Sequence, residues 1–166
     1  FPGAGIAAIS ASAANIADIK KQLSFQTIGH DKINQLRHVR YFKDRAGIEA
    51  HMMKQAAIIR PKFEMVLDLL EKEIKPLGIG SWVNPLGGYF IGFETLAGCA
   101  KAVVAKCKEA GVVLTGAGAP FPYGRDPEDS IIRIAPTYPS LADLTEAANV
   151  FVTCVKLVSV EKLLGK

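Results

Sequence analysis

Apolar positions recur at helical spacing through much of this chain, and in a few places they gather into short runs of strand character. Gly5 to Ile9 predicts a short buried strand entered through a glycine turn. Ile16, Ile19 and Leu23 then share one face, and Asn15 with Asp18 three residues on is an acidic variant of a helix start. The pattern breaks at "QTIGHD". Asp31 is placed to cap a second helix, with Ile33, Leu36 and Val39 facing inward. A long helical pattern follows over about 46–75, in which Ile59, Phe63, Val66, Leu70 and Ile74 recur at steps of four, three, four and four. Pro61 lies inside it and predicts a kink or a break, because proline removes a hydrogen bond and restricts the residue before it. "KPLGIG" ends the element.

Beyond this point the punctuation is that of an α+β domain. "SWVNPLGGYFIGFE" predicts two strands joined by a turn at Asn84 to Gly88. Thr95 is read as the cap of a helix through Ala110, with Leu96, Val103 and Cys107 on its inner face and Gly111 as the residue that ends it. "VVL" predicts a short strand. "TGAGAPFPYGRDPED" is a long loop, and "IIRIA" is a strand ending at a proline-rich turn. Ser140 with Asp143 starts a final helix that runs nearly to Gly165.

Composition narrows the picture. Of 166 residues, 49% are hydrophobic and 22% charged, as in a soluble globular protein of one domain or slightly more. The net charge of +4 is spread over several helices with no basic stripe, which speaks against nucleic acid as a partner. No apolar run reaches the roughly 18 residues that span a membrane. Cys99, Cys107 and Cys154 form no CxxC, and their reading is reduced core thiols in a cytoplasmic protein. No pair of histidines has zinc-binding spacing, so no metal is expected. "FPGAGIAAISAS" has neither a methionine nor the order of a signal peptide, and predicts the middle of a longer protein.

Candidate chemistry is sparse. "GAG" at Gly3–Gly5 and at Gly116–Gly118 does not extend to GxGxxG, and tight turns explain both. Tyr89 and Phe90 follow a double glycine. They are strand residues for a core, or the glycines let a ligand approach the backbone. Arg133 is the odd residue of an apolar run, and burying an arginine without a partner costs several kcal/mol. It either snorkels from an edge strand or pairs with a surface acid, or it receives an anion through its two-pronged guanidinium. The residues alone leave both readings open.

Four stretches in order, "FPGAG", "NPLGGYFIGF", "GVVLTGAGAPFPYGRD" and "IIRIAPTYP", resemble the C-terminal part of a fold-type I pyridoxal-phosphate aminotransferase of the aspartate-aminotransferase-like, MocR-type group. The resemblance implies an α+β chain in which residues 1–45 are the tail of the α/β large domain. The linking helix and the small C-terminal domain then occupy 46–166. It implies that Arg133 grips the substrate α-carboxylate, that Gly88 and Tyr89 wall the active site, and that Gly3 and Gly5 lie near the cofactor. The family's Schiff-base lysine stands three residues before the Phe of FPG, and Phe1 opens this sequence. The chain is therefore expected to be a fragment holding no catalytic residue, inactive and without pyridoxal phosphate by itself. The parent is expected to be a homodimer that exchanges an amino group between an amino acid and a 2-oxo acid. The alternatives are a stand-alone α+β ligand-binding or regulatory module and the aminotransferase-like domain of a transcription regulator. The latter would need a helix-turn-helix that nothing here supplies.

Overall fold

The computed structural model describes residues 4–165. These form two compact units, the first ending at Gln55 and the second beginning at Ala56.

The first unit is helical. Helix α1 spans Ala13–Gln26 and α2 spans Lys32–Phe42. Helix α3, Arg45–Glu73, begins here and continues into the second unit. The cap of α1 is Ser12 rather than Asn15, because a hydroxyl at that position reaches the peptide N–H of Asn15 at 3.3 Å. Asp31 caps α2 as its sequence implies, its carboxylate accepting from the Asn34 N–H at 2.9 Å. The inward face of α2 differs from expectation: Ile33, Leu36 and Val39 are exposed, and Asn34 is the buried residue. Its Nδ2 donates to the carbonyl of Gly5 at 3.2 Å. Gly5 to Ile9 is irregular and exposed, not a buried strand. The described residues of this unit hold no strand for it to pair with, and an unpaired strand leaves its backbone groups unanswered. Between α2 and α3, Asp44 accepts from the Gly47 N–H at 2.9 Å. Glycine is required at 47, since a Cβ there would stand 1.8 Å from the Phe42 carbonyl oxygen.

Helix α3 passes through Pro61 without the predicted break. The missing N–H costs one hydrogen bond. The turns beyond it bury Val66 and Leu70 against the core of the second unit, and that burial outweighs the loss.

The second unit is α+β. Strands β1 (Gly80–Trp82), β2 (Ile91–Thr95) and β3 (Ile131–Ile134) form an antiparallel sheet in that order. Helices α4 (Ala100–Glu109) and α5 (Leu141–Leu163) join the C-terminal half of α3 in burying one core with it. Phe93 is fully buried, with Trp82 stacked at 6.3 Å between ring centroids and Phe151 meeting it edge-on at 5.2 Å. All three cysteines are free and buried. Burial pushes the Cys107 thiol up to about 12, and the neighbouring Cys154 adds to the shift. Among the described residues no helix is long and apolar enough to cross a membrane.

Three local expectations change here. Tyr89 and Phe90 lie in the β1–β2 connection and are exposed, because β2 begins only at Ile91. "VVL" is irregular and pairs with no strand. Thr95 closes β2 instead of capping α4, its hydroxyl lying 3.2 Å from the Ser130 carbonyl oxygen. Helix α4 starts five residues later and draws its cap from elsewhere in the chain. The Asp129 carbonyl accepts from the Ala100 N–H at 2.8 Å, and the Asp129 carboxylate accepts from the Lys101 N–H at 3.2 Å. Gly111, with φ of +89°, ends α4 as predicted. Its N–H donates to Lys108 while that of Val112 reaches back to Cys107.

A candidate carboxylate-binding site at Arg133

Strand β3 alternates. Ile132 and Ile134 enter the core, and Ile131 and Arg133 stand half-buried on the other face of the sheet. Directly across from Arg133, on β2, is Gly92. The cross-strand position that would normally supply a partner side chain is therefore vacant, and a Cβ built there meets no atom within 4 Å. The guanidinium carbon lies 4.2 Å from the centroid of the Phe90 ring. Among the described residues Arg133 forms no ion pair, and its buried Nε–H finds no acceptor. A buried donor without an acceptor costs on the order of 1–3 kcal/mol. A planar carboxylate is the acceptor that a guanidinium fork accommodates best.

Both ends of β3 are fixed. At its start, the Asp126 carboxylate accepts from the N–H groups of Ser130 and Ile131, both at 2.8 Å, and from that of Glu128 at 3.1 Å. The Ile131 N–H, helped by those of Ser130 and Glu128, holds the Asp126 carboxyl below the usual aspartate range against an opposing effect of burial. A depressed folded-state pKa contributes stability that is fully present above the unfolded value of about 3.9 and is lost as pH falls through the folded value. Asp126→Ala should therefore lower the thermal midpoint at neutral pH. The midpoints of variant and wild type should converge as pH drops below about 4. A constant gap between the two melting curves down to pH 2 would assign the effect to packing instead. At the other end of β3, the Lys62 ammonium donates to the carbonyls of Thr137, at 2.8 Å, and Pro139. That cation anchors the turn in which the strand terminates.

The other candidate residues are dispersed. Gly88, with φ of +95°, lies in the β1–β2 connection. It borders a shallow groove of about 130 Å³ between that connection and Ile59, Arg60 and Phe63 of α3. Tyr89 is 65% exposed and makes no hydrogen bond among the described residues. Gly5 belongs to the first unit, where its carbonyl accepts from Asn34, and Gly3 lies outside the described residues. The described residues contain no group of three His, Cys, Asp or Glu side chains able to hold a metal. Sequence reasoning missed the roles of Phe90, Gly92, Lys62 and Asp126. The alternation of "YFIGF" carries the signal for Gly92, which falls on the face opposite Phe93. Nothing in the sequence ties Lys62 to residues 75 and 77 positions away.

The sequence matches the family described as aspartate amino-transferase over residues 1–166. A Mycolicibacterium smegmatis protein named as an aminotransferase is 46% identical over 165 residues, covering 99% of this chain and 39% of its own length. An aspartate aminotransferase of Corynebacterium glutamicum is 40% identical over 159 residues, covering 96% of this chain and 37% of that protein. The crystal structure of an aspartate transaminase from the same species superposes with a TM-score of 0.83 at 40% identity, over 91% of this chain and 36% of that one. A kynurenine aminotransferase of Pyrococcus horikoshii shares the fold at a TM-score of 0.72 and 21% identity, over 87% of this chain and 35% of that one. The chain thus spans about two fifths of the length of the curated relatives it matches.

Proposed function

The chain belongs to the aspartate aminotransferase family, and on that footing we propose that it supplies the substrate-carboxylate receptor of a pyridoxal-phosphate-dependent transaminase. In this reading Arg133 holds the α-carboxylate that the amino acid and the 2-oxo acid have in common. The observation that carries it is the state of that guanidinium: half-buried, faced by a glycine, free of ion pairs among the described residues, and with a buried N–H unanswered. A structural arginine would be expected to have found an acid.

The stretch that the resemblance places near the cofactor does not by itself fit its phosphate. Residues 4–12 carry no basic side chain for a phosphate. The reading therefore assigns the Schiff-base lysine and the phosphate contacts to parts of the enzyme other than these 166 residues, and it expects this polypeptide alone not to turn over. Within these residues the work is binding and orientation. A fork fixed on a rigid strand sets the direction of the carboxylate and hence of the carbon beside it. The MocR-type placement, the homodimer and the division near residue 45 are parts of the same proposal and rest on the order of the four motif stretches, and the cytoplasmic location rests on the reading of Cys99, Cys107 and Cys154 as reduced thiols.

The test has two arms. The complete enzyme with its cofactor should interconvert amino acids and 2-oxo acids, and failure with every common pair would favour a ligand-binding module. Gly92→Asp should then place a carboxylate opposite Arg133, pairing with it and repelling the substrate's own. Like charges brought together cost several kcal/mol, so the KM of both substrates should rise at least about tenfold. An unchanged KM in a folded Gly92→Asp enzyme would mean that substrate binds elsewhere.

A further inference from the structure

We propose that Phe90 is a positioning residue for Arg133: its ring is a platform that fixes the plane of the guanidinium and so the direction from which a carboxylate is received. The inference rests on the reading of Arg133 as carboxylate receptor and goes beyond it, to the question of what aims the fork.

An arginine side chain has four rotatable bonds. An arginine without ion pairs on a sheet face would ordinarily sample many of their rotamers. Three observations restrict this one. The guanidinium carbon lies over the Phe90 ring at 4.2 Å, within the range of a cation–π contact. The Nε is buried although the residue as a whole is only half-buried, so the stem is held and the outer nitrogens are the accessible part. Gly92, two residues after Phe90 and directly opposite Arg133, carries no side chain that could grip the guanidinium from the strand itself. Among the described residues, the ring is therefore the group that orients the cation. Phe90 can serve because it stands outside β2: it is 43% exposed and lies in the β1–β2 connection, two residues past the double glycine. A phenyl ring adds no acceptor, so it holds the cation without competing for the N–H groups that a carboxylate needs. An aspartate or glutamate in its place would hold the arginine and consume it.

The test compares Phe90→Leu, Phe90→Tyr and Arg133→Ala in the complete enzyme. Phe90→Leu should raise the KM of the amino acid and of the 2-oxo acid alike by roughly 3- to 30-fold, the range of a partly desolvated cation–π contact. Phe90→Tyr, which keeps a ring face, should stay within about twofold of wild type. Added to Arg133→Ala, Phe90→Leu should have no further effect, because its whole contribution acts through the arginine. Nuclear magnetic resonance of the 166-residue chain gives a readout independent of turnover. Exchange of the Arg133 Nε–H with solvent should be at least about tenfold slower than that of Arg37, an exposed residue that forms no ion pair among the described residues. Phe90→Leu should abolish the difference and Phe90→Tyr should keep it. Normal KM and unchanged exchange in Phe90→Leu, with Arg133→Ala still crippled, would overturn the platform and leave the receptor standing. An Arg133→Ala enzyme of normal activity would remove the receptor itself. Additive losses in the double variant would reduce Phe90 to a packing residue.

Discussion

Arg133→Ala in the complete enzyme is expected to lower kcat/KM by about 30-fold to several-thousand-fold. Removing one partner of a two-pronged guanidinium–carboxylate contact in a partly dry site costs about 2–5 kcal/mol, at 1.4 kcal/mol per decade of rate. The loss should be the same for amino-acid and 2-oxo-acid substrates, since both carry the carboxylate. Arg133→Lys should also be poor, because an ammonium keeps the charge and loses the fork. The alanine variant should still fold. Arg133 makes no ion pair among the described residues and its strand partners are backbone atoms, so its removal breaks no network. Steady-state kinetics with both substrate types, together with a melting curve, decides the matter. A folded Arg133→Ala enzyme with near-normal kcat/KM would end the assignment.

The second large effect concerns stability. Phe93→Ala should destabilise the second unit by about 3–5 kcal/mol, the usual cost of emptying a fully buried aromatic site. Phe93 touches both Trp82 and Phe151, so it joins the sheet to α5, and neither neighbour can fill the void without giving up its own ring contact. That is a large share of the 5–15 kcal/mol typical of a domain. Urea unfolding followed by tryptophan fluorescence should show the midpoint falling sharply, and Trp82 would report from the affected contact itself. Val83→Ala, at an exposed position next to Trp82, should change stability by no more than about 0.5 kcal/mol. A loss below 1 kcal/mol in Phe93→Ala would show that the core closes over the gap.

Elements set by local chemistry were legible in the sequence. Asp31 and Ser140 cap their helices through side-chain oxygens three residues from the N–H they serve, and Gly111 ends α4 through its own positive φ. What depended on distant partners was not. Thr95 looked like a cap because the true one, Asp129, is supplied from 29 residues beyond Ala100. Gly5 to Ile9 and "VVL" had the composition of strands, and composition does not say whether a neighbour is there to pair with. Ile33, Leu36 and Val39 had the spacing of a buried face and are exposed, because spacing marks a face that could be covered and not what covers it. At the site, the lone arginine drew attention by its cost. Its surroundings did not, because a glycine opposite and a ring beneath it are ordinary residues until register and loop geometry bring them to it.

The alternation along β3 has a consequence for how the chain reaches its fold. The strand reads Ile-Ile-Arg-Ile, so one alignment of β3 on β2 turns two isoleucines to the core and the other turns one isoleucine and the arginine there. A shift of one residue would exchange the two faces. Ile131 would take a core position, and so would the guanidinium, among Phe93, Phe151 and Val155, with no acceptor to meet it. The misaligned sheet is thereby penalised by several kcal/mol, whereas the aligned one leaves a single N–H unanswered, at about 1–3 kcal/mol. One side chain thus does two unrelated jobs at different times: during folding it rejects the wrong pairing of strands, and afterwards it is left on the open face with a charge to offer.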